Sequence, residues 1–345
     1  MRSTSLIFGA IAVLAACFGA SLKSRSGDPA NANYLQKQDA ETPIDQKKLV
    51  ALEAVRAPQD LGERAMAHAR TLVNLGPRHS GAVPTEGYSK QLDFITAELK
   101  RSGVNAVRDT WTDRRELVTF TNISAVIPGK RSERIVFSCH HDTKCAKGHK
   151  DTEHNFAFAG ANDGASGVAL LLALAPVLVQ GKHEATIELL FFDGEESMDW
   201  DWNNAARALF GSKHFVEQHR DAELKSGAPK IAAMLLLDMV GRKDLHIQEE
   251  LYSTARLRTL VFSAAHSCGH AAHFFRGAEA ASDDHRPFLD VGIPSIDLID
   301  LKDNPHWHKP TDTIDNLSAV SLQIVAEVVL TALPAIEREY LLDPR

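Results

Sequence analysis

The segment Leu189–Glu196, with the sequence LLFFDGEE, is the clearest indication of the fold. It completes a largely apolar run, Thr186–Phe192, which is typical of a strand buried within a sheet. Asp193-Gly194-Glu195-Glu196 follows without a gap, so carboxylates stand at the carboxyl end of this predicted strand. In open parallel sheets, ligand sites are built at that edge.

Two further runs end in the same way. Ile135–Cys139 is followed by His140-His141-Asp142, and Met234–Leu237 is followed by Asp238. The predicted strands are Val118–Ile127, Arg134–Cys139, Thr186–Phe192, Ile231–Leu237 and Ser295–Ile299. Helical periodicity alternates with them at about 61–75, 85–102, 165–180, 205–220, 254–270 and 317–337. The alternation predicts an α/β fold, with a mostly parallel mixed central sheet and helices on both faces.

The composition limits the class of protein. The chain has 345 residues, of which 44% are hydrophobic and 24% charged, as in soluble globular proteins. A net charge of -7 argues against nucleic acid as a partner, because phosphate binding requires a basic surface. Nothing after residue 50 resembles a linker, so residues 47–345 are predicted to form a single catalytic domain.

The N-terminal residues predict export. Arg2 precedes the apolar stretch Leu6–Ala16, which is too short to span a bilayer, so residues 1–17 are interpreted as a signal peptide. The stretch ends in Leu14-Ala15-Ala16-Cys17, which resembles a bacterial lipobox with Cys17 as the lipidated residue; a plain secretory signal is the alternative. Residues 18–46 are polar and are interpreted as a flexible tether. We therefore expect a protein of the bacterial cell envelope, attached to a membrane only through lipid at Cys17.

Glu195 and Glu196 are adjacent and cannot point the same way, so we expect their roles to differ. One would bind a metal ion while the other faces the substrate as a proton carrier. The alternative is the solvated start of a helix, where acidic residues are favoured.

Three other segments carry candidate groups. Asp163 lies in the glycine-rich turn 160–167 before an apolar helix, and either caps that helix or turns its carboxylate toward an ion. His308 lies in the proline-flanked segment 305–313, and neutral imidazole is a common zinc ligand. Asp283-Asp284-His285 precedes a short predicted helix and offers two carboxylates and an imidazole.

Several other catalytic designs are excluded. The sequence has no HExxH pair, no nucleophile elbow, no phosphate-binding loop and no dinucleotide fingerprint. It also has no CxxC pair, which makes a thiolate zinc site improbable. A disulfide between Cys139 and Cys145 stays open at this stage.

The order of these motifs resembles one known zinc fold over roughly residues 60–335. The pattern is His140-x-Asp142, then Asp163 in its glycine-rich turn, Glu195-Glu196, Asp238 and His308. Two families share that fold: zinc aminopeptidases with two co-catalytic metals, and animal-type glutaminyl-peptide cyclotransferases, which use one zinc ion.

The resemblance implies residue roles. Asp163, Glu196 and His308 match the zinc ligands common to both families, and Glu195 matches the general acid/base. His140 and Asp238 match the further ligands of a second metal in the aminopeptidases, with Asp163 bridging. One zinc ion is the expectation, with two as the aminopeptidase arrangement.

Two features favour the cyclotransferases. The insert that begins with Ser197–Asn204 and continues to Leu209 resembles the segment whose tryptophan lines their substrate pocket, so Trp200 or Trp202 is expected there, together with Trp307. Asp283-Asp284-His285 resembles their Asp-Asp-His. By that resemblance, Asp283 would hydrogen-bond to Asp238, and both would be catalytic residues. Two departures stand against this: Val168 replaces the disulfide partner of Cys139, and Asp297 replaces a histidine.

The resemblance thus implies a zinc-dependent enzyme that converts the N-terminal glutamine of peptides to pyroglutamate with release of ammonia. Its expected partners are peptide or protein N-termini. The alternatives are a zinc aminopeptidase and a zinc-stabilised binding lipoprotein without turnover.

Overall fold

The computed structural model describes residues 43–80, 86–146, 150–202 and 204–342. The predicted signal peptide, Cys17 and most of the predicted tether therefore lie outside the described residues. Within the described residues, the backbone N–H of Ile44 donates to Glu249 Oε1 at 2.8 Å.

A six-stranded mixed sheet forms the centre of the domain. Its strands, in spatial order, are β1 (Ala106–Thr112), β2 (Thr119–Ile127), β4 (Thr186–Phe192), β3 (Arg134–His140), β5 (Ile231–Asp238) and β8 (Ser295–Ile299). β4, β3, β5 and β8 run parallel, while β2 is antiparallel to both β1 and β4. A second, two-stranded parallel sheet joins β6 (Ile247–Glu250) to β7 (Phe274–Glu279). The predicted mostly parallel mixed sheet is confirmed.

Seven α-helices of the described chain surround the sheet. They are α1 (Leu61–Asn74), α2 (Glu86–Arg101), α3 (Ala165–Gln180), α4 (Phe210–Ser226), α5 (Ala255–Ser267), α6 (His285–Asp290) and α7 (Ala319–Glu337). The segment Ala319–Leu342 has the length and apolarity of a membrane span, but 72% of its apolar window is buried inside the domain. It is therefore packed as a core helix.

The strand residues divide between two cores, because successive side chains point to opposite faces of a sheet. On β3, Ile135 and Phe137 face the larger core, which also contains the buried faces of α1, α3, α5 and α7. Val136, between them, faces a smaller core with Val216 of α4 and Phe288 of α6. Helices thus cover both faces, as the largely apolar runs of the parallel strands predict.

Some elements differ from the predictions. β1 was not predicted, because most of this edge strand is exposed and lacks an apolar alternation. β6 has the sequence IQEE and was also not predicted, since its buried residues are mainly polar. The helix expected at 205–220 begins at Phe210, because Leu209 adopts a left-handed conformation (φ 58°) that interrupts the chain there.

Gly167 brings the first turn of α3 against the end of β5. A Cβ atom at this position would lie 2.3 Å from the carbonyl oxygen of Leu237, so only glycine permits the approach. The turn that precedes α3 therefore reaches the carboxyl edge of the sheet.

Cys139, Cys145 and Cys268 are free thiols, and no disulfide forms between the first two.

Candidate active site

Three parallel strands bring acidic and imidazole groups to one edge of the sheet. His140 is the last residue of β3 and Asp238 the last residue of β5, while Glu195 and Glu196 follow the end of β4. β3 pairs in parallel with both neighbours, so the three strand ends are adjacent. All four side chains are buried, so water screens their charges poorly and each charge interacts strongly with the others.

Asp163 is supplied by the turn before α3. The helix N-cap is Gly164, and no side chain caps it, so the helix-cap interpretation of Asp163 is wrong. Instead, its two carboxylate oxygens face two histidines: Oδ1 lies 3.2 Å from His140 Nε2 and Oδ2 lies 3.4 Å from His308 Nε2.

Two buried charged residues hold this turn. Asp312 accepts the backbone N–H groups of Asn162 (2.8 Å) and Asp163 (3.2 Å). The guanidinium of Arg78 donates to the carbonyl oxygens of Ala159 and Gly160, each at 2.9 Å. Sequence reasoning missed both residues, because their partners are distant along the chain.

Asp163, Glu196 and His308 form a compact triad of candidate metal ligands. His308 Nε2 lies 3.2 Å from Glu196 Oε1 and 3.4 Å from Asp163 Oδ2. Tetrahedral zinc with bonds of about 2.0–2.1 Å requires ligand atoms about 3.3–3.4 Å apart. Asp163 Oδ2 and both oxygens of Glu196 are buried without a hydrogen bond. Unsatisfied buried oxygens at this spacing fit a zinc ion, since a cation would compensate their burial.

The electrostatics of the triad agree with a cation site. Burial lowers the pKa of His308, but Glu196 and Asp163 outweigh it and raise that pKa to about 9. The carboxylates thus favour positive charge at the position between the three side chains.

His140, Asp163 and Asp238 form a second triad of suitable geometry. His140 Nε2 lies 3.0 Å from Asp238 Oδ1, within hydrogen-bond distance. The facing atoms of His140 and Asp238 are therefore close enough to satisfy each other.

Glu195 and Glu196 point to different neighbours. The backbone N–H groups of both donate to Asp142, whose Oδ1 and Oδ2 accept them at 3.2 Å each. While Glu196 faces His308, Glu195 lines the cavity beside the triad. Burial, with Asp283 and Glu196 nearby, raises the pKa of Glu195 well above its usual value, although His140 opposes the shift. A carboxyl group with a raised pKa is suited to carry a proton near neutral pH.

Asp283 and Asp238 line the same cavity as the triad. Burial raises the pKa of Asp283 to about 7, and Asp238 adds to the shift, while His285 and His140 oppose it. Burial also raises the pKa of Asp238. His285 itself lies outside the cavity, fully buried, with Nε2 3.1 Å from Glu250 and Nδ1 3.8 Å from Asp297.

Two cavities share His308, Trp202 and Trp307 in their linings. The inner one, of about 190 Å³, is lined by both the acidic groups and apolar side chains. Its apolar lining is Trp202, Met239, Ala280, Ala281, Ile299, Leu301 and Trp307. The outer cavity, of about 610 Å³, is lined by Trp200, Asp201, Trp202, Trp307, His308 and Lys309. Trp202 and Trp307 therefore stand between the two, whereas Trp200 lines only the outer cavity.

Aromatic rings surround His308. Its imidazole stacks on Trp307 at 4.4 Å and meets Phe158 and Trp200 edge-on at 6.0 and 5.8 Å. His308 has a left-handed backbone conformation (φ 51°), a strain that occurs preferentially at functional sites. His306, by contrast, bonds to Thr311 and lines neither cavity.

Comparison with known proteins agrees with this arrangement. The profile of Peptidase family M28 matches residues 122–333. The glutaminyl-peptide cyclotransferase of Drosophila melanogaster is 28% identical in an alignment 290 residues long that covers 73% of this chain and 78% of that protein.

Two solved structures are similar over most of the chain. The glutaminyl cyclase of an Acidobacteriales bacterium is 30% identical, with a TM-score of 0.72, and covers 85% of this chain and 99% of its own. The glutaminyl cyclase of Porphyromonas gingivalis is 27% identical, with a TM-score of 0.68, and covers 80% and 99%. The chain therefore belongs to Peptidase family M28, and within that family it is a homologue of the glutaminyl cyclases.

Proposed function

We propose that the chain is a zinc-dependent glutaminyl-peptide cyclotransferase that converts N-terminal glutamine to pyroglutamate and releases ammonia. The observation that carries the proposal is the inner cavity, whose lining includes the Asp163/Glu196/His308 triad together with Glu195, Asp238 and Asp283. Homology to glutaminyl cyclases across most of the chain supports the same reaction.

The inner cavity suits a single terminal residue. Its volume of about 190 Å³ is sufficient for one glutaminyl group, which would displace water from the acidic and apolar side chains of the lining. Confinement brings the α-amine and the γ-carbonyl carbon of the same residue together, which lowers the entropic cost of ring closure. The following residues of the peptide would lie in the outer cavity.

Asp163, Glu196 and His308 would hold the zinc ion, which would supply Lewis-acid stabilisation of negative charge on the γ-carbonyl oxygen. Glu195 accepts a proton from the attacking α-amine as the new C–N bond forms. It then returns that proton to the γ-amide nitrogen, so that the old C–N bond breaks and ammonia leaves. Asp283 and Asp238 orient that nitrogen by hydrogen bonding.

An aminopeptidase is the second candidate, and the His140/Asp163/Asp238 triad is the observation that favours it. In that case His140 and Asp238 would hold a second metal ion, and Glu195 would take a proton from water. The mutual contact of His140 and Asp238 weighs against this arrangement.

Incubation of the zinc-loaded enzyme with a glutamine-initiated and a leucine-initiated peptide separates the two candidates by product mass. Loss of ammonia from the first peptide alone is the expected result. Release of free amino acids would instead assign the aminopeptidase activity.

We also propose that the protein is exported and anchored through lipid at Cys17. The proposal rests on the lipobox-like sequence that ends at that residue. Labelling with a radioactive fatty acid in a bacterial host, compared between the wild type and Cys17→Ser, tests it; equal labelling of both proteins would contradict the anchor.

A further inference from the structure

Lys144 is a buried cation that the sequence did not single out. Its side chain is only 2% exposed, in the loop that follows β3. A charged ammonium group is rarely withdrawn from water unless several acceptors compensate the loss of hydration. Its contacts therefore indicate what it does.

Lys144 binds the backbone of the insert that follows the glutamate pair. Its Nζ donates to the backbone carbonyl oxygens of Ser197 and Asp199, each at 2.8 Å. Asp199 directly precedes Trp200, and Ser197 lies three positions before that tryptophan. The Nζ atom also lies 5.9 Å from the ring centroid of Trp200 and 5.8 Å from that of Trp202, within the range of cation–π attraction.

The same ammonium group faces the first triad. Nζ lies 3.5 Å from Glu196 Oε2, while Glu196 Oε1 faces His308. The two oxygens of Glu196 thus have separate neighbours. The contact to Glu196 is longer than the two carbonyl bonds, so the insert is the main partner of Lys144.

We propose that Lys144 is a positioning residue that holds the Trp200–Trp202 wall of the substrate cavities in place. Trp202 lines both cavities and Trp200 lines the outer one. Without the ammonium group, two buried carbonyl oxygens lose their donor and the wall loses its fixed position. Substrate binding then weakens, whereas the atoms that react and the metal ligands stay where they are.

Lys213 provides a matched control. Its Nζ donates to the carbonyl oxygens of Ala205 and Ala208, which lie in a later part of the same insert. Lys213 lines neither cavity. Both lysines donate to backbone carbonyls of the insert, but only Lys144 also contacts the tryptophans. Substitution of Lys213 therefore shows the effect of losing such bonds away from the tryptophans.

The test compares Lys144→Met, Lys144→Arg and Lys213→Met in the full zinc-loaded chain. For Lys144→Met we expect KM for a glutamine-initiated peptide to rise at least about tenfold, with kcat within about threefold of wild type. Zinc affinity, measured by competition with a chelating dye, should stay within about threefold. Lys144→Arg keeps a donor and should recover most of the lost KM, while Lys213→Met should leave KM unchanged.

A second measurement does not depend on activity. Acrylamide quenching of tryptophan fluorescence should increase in Lys144→Met and stay at the wild-type value in Lys213→Met, because only the former frees the wall. Unchanged KM and quenching in Lys144→Met would overturn the proposal, and so would loss of zinc as the main effect.

The kinetic comparison rests on the proposed function, and the wild-type enzyme reveals its failure separately. If the wild type acts only on a leucine-initiated peptide, the cyclotransferase assignment fails. In that case KM for the leucine-initiated peptide is measured in the wild type and the three lysine variants. The same differences among the variants are then expected if Lys144 positions the tryptophans.

Discussion

Asp142 accepts the backbone N–H of Glu195 at 3.2 Å and thereby links the end of β3 to the end of β4. Its second oxygen accepts the N–H of the next residue at the same distance, so one carboxylate fixes both peptide groups of the glutamate pair. The pair is consequently held with one side chain toward the triad and the other toward the inner cavity. This division of roles is directly testable.

Glu195→Gln should lower kcat for a glutamine-initiated peptide at least about 100-fold, because the amide cannot carry the transferred proton. The zinc content should remain that of the wild type, since Glu195 is not a member of the triad. Steady-state kinetics and metal analysis on the same preparation provide the measurement. Glu196→Gln is the contrasting variant and should lose both zinc and activity; full activity in Glu195→Gln would refute its role in proton transfer.

The metal count can be tested with two histidine variants. His308→Gln removes a member of the triad whose facing oxygens are otherwise unsatisfied, so it should abolish zinc binding. His140→Gln should retain about one zinc ion per chain, because His140 and Asp238 already satisfy each other. Zinc analysis after gel filtration gives the result. A fall from two ions to one in His140→Gln would favour the aminopeptidase arrangement.

Asp312→Asn should weaken zinc binding about tenfold, because Asp312 fixes the turn that presents Asp163. The amide retains only one acceptor oxygen for the two backbone N–H groups. Competition with a chelating dye measures the affinity. Asp315→Asn, an exposed acid in the same segment, is the control and should have no effect.

The fold was predictable where strands are buried on both faces. β3, β4 and β5 have largely apolar runs that end in polar residues, a pattern that can be recognised without knowledge of the neighbouring strands. β1 and β6 were not predictable, because one is an exposed edge and the other buries polar residues against specific partners. Their stability depends on tertiary contacts rather than on local pattern.

The residues nominated from the sequence meet at one site, but their supports could not be predicted. Asp312 and Asp163 are separated by 149 positions, so nothing local connects them. Likewise, the pattern around Trp200 and Trp202 did not indicate which one reaches the inner cavity. The structure assigns that position to Trp202, since Trp200 stacks on His154 at 3.8 Å instead.

Glu250 supplies a stability test that is separate from the metal. It accepts hydrogen bonds from the N–H groups of Tyr252, Ser253 and Ala281 and lies 3.1 Å from His285. Burial opposes ionisation, but His285 and the backbone donors lower the pKa of Glu250 from 4.5 to about 2.

A lowered carboxyl pKa stabilises the folded state above the unfolded pKa of 4.5, and this stabilisation is lost as the pH falls toward 2. The difference corresponds to about 3 kcal/mol at pH 7. Glu250→Gln should therefore lower the free energy of unfolding by about 2–4 kcal/mol at pH 7, and by progressively less below pH 4.5. Urea unfolding in the presence of EDTA measures it, with the exposed Glu217→Gln as control. A difference between Glu250→Gln and wild type that does not change with pH would show that shape, rather than charge, determines the contribution of Glu250.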